Sequence, residues 1–153
     1  MSELLVYNIR KERYAHSLRA SGSANRWNKT DEYIIYAGSS RALAILELTA
    51  HRAFIRIDES YRLMVIELKI SEKDIQTIEV NNLPENWKSV EVCGILQSIG
   101  SKWYRTMQTL ILKVPSLLIP KEYNFLINTQ HPDFKKKVEI MEIELFEWDK
   151  RLI

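Results

Sequence analysis

NRWNKTDEYIIYAGSSRALAILE, residues Asn25 to Glu47, passes from a polar loop through a short apolar strand into a helix, with one chemically distinctive residue on each. Arg26 lies in the loop. Tyr33 to Ala37 reads as a strand, because aromatic and β-branched side chains fit a pleated surface, and Tyr36 closes its apolar run. Ser39 and Ser40 offer a hydroxyl to cap a helix from about Arg41 to Phe54, in which Leu43, Leu46, Ala50 and Phe54 form one stripe. Ala44, Ile45 and Leu48 fall off that stripe, so the helix is apolar nearly all round and is expected to be buried. Glu47 in its middle is then out of place as a solvated carboxylate. An anion anchor, an aromatic wall and a desolvated carboxylate suit a ligand carrying both a phosphate and a sugar.

Outward from this stretch the chain predicts more strand than helix, an α+β class, without internal repeats or low-complexity segments. Leu4 to Ile9 reads as a first strand, Arg62 to Ile70 as a long branched-apolar one, and Gln76 to Val80 as a short one. Asn81-Asn82-Leu83-Pro84 reads as a loop. An amphipathic pattern from Val92 to about Met107 is interrupted by Gly100, which predicts two short helices or a bent one. Thr109 to Val114, Tyr123 to Asn128 and Val138 to Phe146 read as late strands, the last with a bulge or break between Ile140 and Met141.

The chain has 153 residues, of which 46% are hydrophobic and 27% charged, the profile of a single globular domain over residues 1–153. No apolar run approaches the roughly 20 residues that span a bilayer, and the amino terminus, with Glu3 early and polar residues from Asn8, does not read as a signal peptide, so a cytoplasmic protein without membrane contact is expected. Cys93 is the only cysteine, which excludes an intrachain disulfide and a thiolate metal cluster. A net charge of +2 is too small to argue for nucleic acid as a direct partner. The basic bias is local: Arg10, Lys11, Arg13, Arg19, Arg26 and Lys29 face only Glu3 and Glu12 in the first thirty residues, a patch that could steer a polyphosphate or simply be solvated.

Several chemistries fail for want of their residues. Glycines at 22, 38, 94 and 100 form neither a dinucleotide-binding G-x-G-x-x-G nor a P-loop. His16, His51 and His131 lack zinc-ligand spacing, so no metal is expected. Ser116 follows Val114-Pro115 without the flanking glycines of a hydrolase elbow.

The positive signal is a series of short anchors in fixed order. The first block is Arg26-Trp27-Asn28, then Tyr36, Ala42 to Glu47 and His51. The second runs through Trp103, Val114-Pro115-Ser116, Ile119-Pro120, Glu122 to Asn128 and His131-Pro132-Asp133-Phe134, closing on Asp149-Lys150-Arg151-Leu152. In these blocks the chain resembles the RES-domain proteins, toxins of bacterial RES/Xre toxin–antitoxin pairs. The resemblance implies a split antiparallel β core with flanking helices, like that of the ADP-ribosyltransferases, gripping NAD in a cleft. It also implies an Xre-type antitoxin partner that closes the cleft, an arrangement compatible with a homodimer inside the complex, and NAD as substrate with no true cofactor.

Carried over residue by residue, the resemblance makes Glu47, Arg26, Tyr36 and Ser116 the catalytic set, with Trp27 and Asn28 beside Arg26, Tyr36 and Ser116 at the ligand. Arg26 would fork onto the pyrophosphate or a ribose-associated oxygen, as a planar guanidinium can and lysine cannot. Tyr36 would stack on, or hydrogen-bond to, the nicotinamide ribose. Glu47 would stabilise positive charge developing on the anomeric carbon. Ser116 would orient nicotinamide or hold Glu47. Plainer roles compete: Arg26 as a structural ion pair with Glu47, Tyr36 as strand core, Trp27 as packing, and His51 as a structural partner of Glu47 one helical turn away. Two positions depart from the family pattern. Asn8 follows Tyr7 where many members have an arginine, with Arg10 two residues on along the same face, and the loop from Lys29 to Glu32 lacks a usual glycine.

Overall fold

Leu4 and Val6 alternate with Leu5, Tyr7 and Ile9, so both faces of the first strand are largely apolar and it belongs inside a sheet rather than at its edge. A computed structural model describes residues 2–51 and 55–152 and places that strand accordingly. The order is β1 (Ser2–Lys11), β2 (Ile34–Gly38), α1 (Arg41–Thr49), β3 (Tyr61–Ile70), β4 (Ile75–Thr77), α2 (Cys93–Thr106), β5 (Ile111–Pro115), β6 (Tyr123–Asn128), α3 (Phe134–Lys137) and β7 (Val138–Phe146). The strands form one sheet in the order β4-β5-β6-β2-β1-β3-β7.

The α+β class holds, with two refinements to the expected core. The sheet is mixed, because β4 runs parallel to β5 while every other pair is antiparallel. The split has a defined place: β1 and β2 share one register pair, Tyr7 opposite Gly38, whereas β1 and β3 pair from Ser2–Ile70 to Lys11–Tyr61. The two halves are therefore joined at a point and splay apart on either side of it.

Three clusters fill the molecule. Val6, Ile35, Met64, Ile66, Leu68, Ile111 and Ile127 are buried across one face of the whole sheet. On the other face, α2 packs Leu96, Trp103 and Tyr104 over Leu112, Val114 and Leu126, while α1 packs Ala44, Ile45 and Leu48 over Ile9, Leu63 and Val65. Between α1 and α2, over the seam, the face stays open.

Both helices differ from expectation. Ser40 caps α1 by accepting the Leu43 N–H at 3.0 Å, as its position predicts. The helix ends at Thr49, and Phe54 lies outside the described residues. Only Leu43 and Ala44 of α1 are buried and Leu46 is exposed, so the helix is not enclosed all round: it lies against the sheet as a lid with one side to water. Gly100 does not break α2, which runs as one continuous helix through fourteen residues. A β-carbon at Gly100 would sit 1.7 Å from the Trp27 carbonyl oxygen, so this glycine is where the loop bearing Arg26 presses against the helix. The bulge expected in β7 is present: Val65 pairs with Glu142 and Ile66 with Ile140, leaving Met141 as the extra residue.

Candidate active site

Glu47 reaches from the middle of α1 toward the end of β5, where two donors meet one of its oxygens. The Ser116 hydroxyl donates to Oε1 at 2.7 Å and the Asn124 side-chain amide donates to the same atom at 3.0 Å. Ser116 is fully buried, and its oxygen in turn accepts the backbone N–H groups of Leu118 and Ile119, each at 3.1 Å. With both lone pairs occupied, the hydroxyl has only its proton to offer Glu47. Ser116 thus lies behind the carboxylate, holding it, rather than at the ligand surface.

Tyr36, on β2, uses its hydroxyl fully as well. It donates to Asn28 Oδ1 at 2.6 Å and accepts the Trp27 N–H at 3.1 Å. Burial pushes the Tyr36 phenol above its usual range, and the Trp27 N–H offsets this only in part. The ring remains at the cavity wall. Asn28 is buried, with its amide nitrogen donating to the carbonyls of Ser23, Lys29 and Glu32. Asn28 lies outside the cavity lining and acts as the strut that fastens the loop to Tyr36.

Arg26, Trp27, Tyr36 and Glu47 line one cavity of about 460 Å³, together with Tyr7, Asn8, His51, Cys93 and Asn124. That size falls within the roughly 300–1,000 Å³ of small-molecule sites. The expected constellation is therefore brought together, with Ser116 one layer back and Asn28 behind Tyr36. Arg26 and Glu47 form no ion pair with each other or with any other described residue, and the structural-pair alternative falls away. His51 lines the cavity but makes no hydrogen bond to Glu47 among the described residues. The described residues hold no group of three or more His, Cys, Asp or Glu placed to bind a metal. No described helix is long and apolar enough to cross a membrane.

A family model described as the RES domain matches residues 5–149. The chain belongs to the RES-domain family. It is 34% identical over 134 residues to the Prs ADP-ribosylating toxin of Sphingobium sp. (strain YBL2), covering 86% of this chain and 81% of that one. It is 31% identical over 156 residues to Toxin Res of Yersinia enterocolitica, covering 97% and 99%. Among solved structures, a chain of the M. tuberculosis MbcT–MbcA toxin–antitoxin complex superposes with a TM-score of 0.68 at 14% identity, covering 95% of this chain and 82% of that one. That likeness concerns the fold.

Both departures of this RES domain from its family pattern have structural answers. Asn8 sits at the seam, where its amide donates to the Tyr36 carbonyl at 2.6 Å, supplying a bond that the interrupted β1–β2 ladder does not. Arg10 shares that face but does not reach the cavity; its guanidinium donates to Asn8 Oδ1 and to the carbonyls of Tyr14 and Arg19. Burial without a carboxylate partner lowers the Arg10 pKa. In the glycine-free loop, Asp31 takes the left-handed conformation, φ 67°, that glycine adopts at least cost.

Two residues escaped the sequence reading. Glu32 passes for a surface acid in a polar loop, yet it is buried and accepts from the Lys29 N–H, the Ser101 hydroxyl and the Arg105 guanidinium, tying the loop to α2. Asn124 appeared only within a strand and an anchor block, with no role at the site, and its role needs β6 to be threaded between β2 and β5, opposite both Gly38 and Val114.

Proposed function

We propose that this RES domain is the toxin of a toxin–antitoxin pair and that it degrades NAD by cleaving the bond between nicotinamide and ribose. The observation that carries the reading is a cavity in which a guanidinium with no ion pair among the described residues, two tyrosine rings and a braced carboxylate meet. Nicotinamide leaves as a neutral ring, taking the electron pair of the glycosidic bond, so little acid help is needed and the transition state resembles an oxocarbenium ion. Arg26 would anchor the pyrophosphate, Tyr36 and Tyr7 would wall the nicotinamide ribose, and Glu47 would face the positive charge on the anomeric carbon. Water or phosphate then bonds to that carbon, with water releasing a proton. Trp27 contributes packing beneath Arg26.

Purified protein incubated with NAD should release nicotinamide. Arg26→Ala and Glu47→Ala should each slow release on the order of 10²–10³-fold, the scale of preorganised electrostatic groups. No release by the wild type, or undiminished release by both variants, overturns the proposal. Parallel reactions with and without phosphate distinguish hydrolysis from phosphorolysis by the product.

An antitoxin of the Xre type would close the cavity. Val90 and Leu118, which line it, are 85% and 41% exposed, an apolar rim suited to cover by a partner. The name of the Sphingobium relative favours a second reading, transfer of ADP-ribose to a protein. Mass spectrometry of treated lysate separates the two: transfer leaves an adduct on protein, degradation leaves only free product.

A further inference from the structure

We infer that Asn124 is a positioning residue for Glu47, dividing the carboxylate into a held oxygen and a working one; this rests on the NAD-cleaving reading above. Oε1 accepts both protein hydrogen bonds, from Ser116 and Asn124, while Oε2 has no partner among the described residues and the side chain borders the cavity. Two donors converging on one oxygen, one from the turn after β5 and one from β6, fix the carboxyl plane, which a single bond would leave free to rotate. A carboxylate is acceptor-only, so the Asn124 amide must turn its NH₂ toward Glu47.

The two braces differ in what secures them. Ser116 is held by its own turn, through Leu118 and Ile119, and by its N–H donating to the Glu122 carbonyl at 2.9 Å. Asn124 is held by the middle of the sheet, on the one strand that pairs with both β2 and β5. The donor thereby ties the orientation of a helix-borne carboxylate to the register of three strands. Oε2 is left to meet the substrate, where its charge acts at short range on the anomeric carbon.

The test is substitution with a pH-dependent signature. Asn124→Ala should lower kcat for nicotinamide release roughly 10- to 100-fold, as expected on losing one hydrogen bond to a charged group, while KM for NAD changes by less than about threefold. Asn124→Asp keeps the shape and replaces the donor with a group that donates only when protonated. The other titratable groups lining the cavity are Arg26, Tyr7, Tyr36, His51 and Cys93, common to both proteins. Two carboxyl groups in contact share a proton, which raises the apparent pKa of the pair. The variant should therefore approach wild-type turnover in acid and lose it as pH rises, relative to wild type at each pH.

Thermal stability gives a reading that does not depend on turnover. A group whose pKa is raised on folding stabilises below its unfolded value, and that stability is lost as pH rises through the folded one. The Tm deficit of Asn124→Asp should thus be small near pH 4 and widen toward pH 7. A deficit independent of pH, or a kcat of Asn124→Ala within about twofold of wild type, overturns the inference. Absence of nicotinamide release by the wild type would instead overturn the NAD reading, leaving the stability profile to decide the role of Asn124.

Discussion

Tyr36 shows how a single side chain can divide its atoms between two tasks. Its ring lines the cavity from the middle of β2, while its hydroxyl clamps Trp27 and Asn28. Tyr36→Phe should leave the Trp27 N–H and Asn28 Oδ1 without that partner, costing about 1–3 kcal/mol of stability in urea unfolding. KM for NAD should rise as well, since the loop that carries Arg26 loosens; an unchanged unfolding midpoint would remove the clamp from the account. Residue types alone could not separate ring from hydroxyl, because hydrogen-bond partners eight and nine positions away are decided by how the loop folds back.

Elements were more legible than contacts. β6 and β7 follow the predicted ranges, and Ser40 caps α1, because strand pattern and capping are local properties. The break expected at Gly100 fails for the same reason: in isolation a mid-helix glycine weakens a helix, whereas here it admits the Trp27 carbonyl. Gly100→Ala sets a helix-propensity gain of about 1 kcal/mol against a methyl group 1.7 Å from a backbone oxygen. The clash should win, with a net loss of about 1–3 kcal/mol in urea unfolding, the range for overpacked sites, and with slower NAD cleavage because Arg26 adjoins Trp27. Asp31→Gly should be tolerated within about 0.5 kcal/mol, since relief of the left-handed backbone opposes the added chain entropy, whereas Asp31→Val should cost more than about 1 kcal/mol.

For the molecule as a whole, charge pairs lock the periphery of the sheet. Burial pushes the Asp74 carboxyl up, but the Lys137 ammonium and the Ser71 backbone N–H outweigh it and leave Asp74 below its ordinary value. The Arg41 guanidinium likewise holds Glu144 on β7 below the usual carboxylate range, through bonds of 2.9 and 2.6 Å. Native values below the unfolded ones mean that both pairs stabilise the fold above about pH 4 and cease to do so as pH falls through the native values. Unfolding in urea should therefore need less denaturant at pH 3 than at pH 7, and Lys137→Met should shrink that difference; a variant with the wild-type pH dependence would remove Asp74–Lys137 from the account.

By itself the sequence determined the family, the α+β class and most element positions, and it singled out Arg26, Trp27, Tyr36 and Glu47, which line one cavity, because short motifs and periodicities are written in neighbouring residues. It left open which oxygen, ring or amide faces the ligand. Tertiary structure decided that Asn28 and Ser116 stand behind the surface, that Arg26 and Glu47 form no ion pair among the described residues, and that Asn8 bridges the seam where the sheet splits. The physical reason is separation along the chain. Ser116 and Asn124 lie 69 and 77 residues from Glu47, and only the pairing of β2, β5 and β6 brings all three side chains to one point.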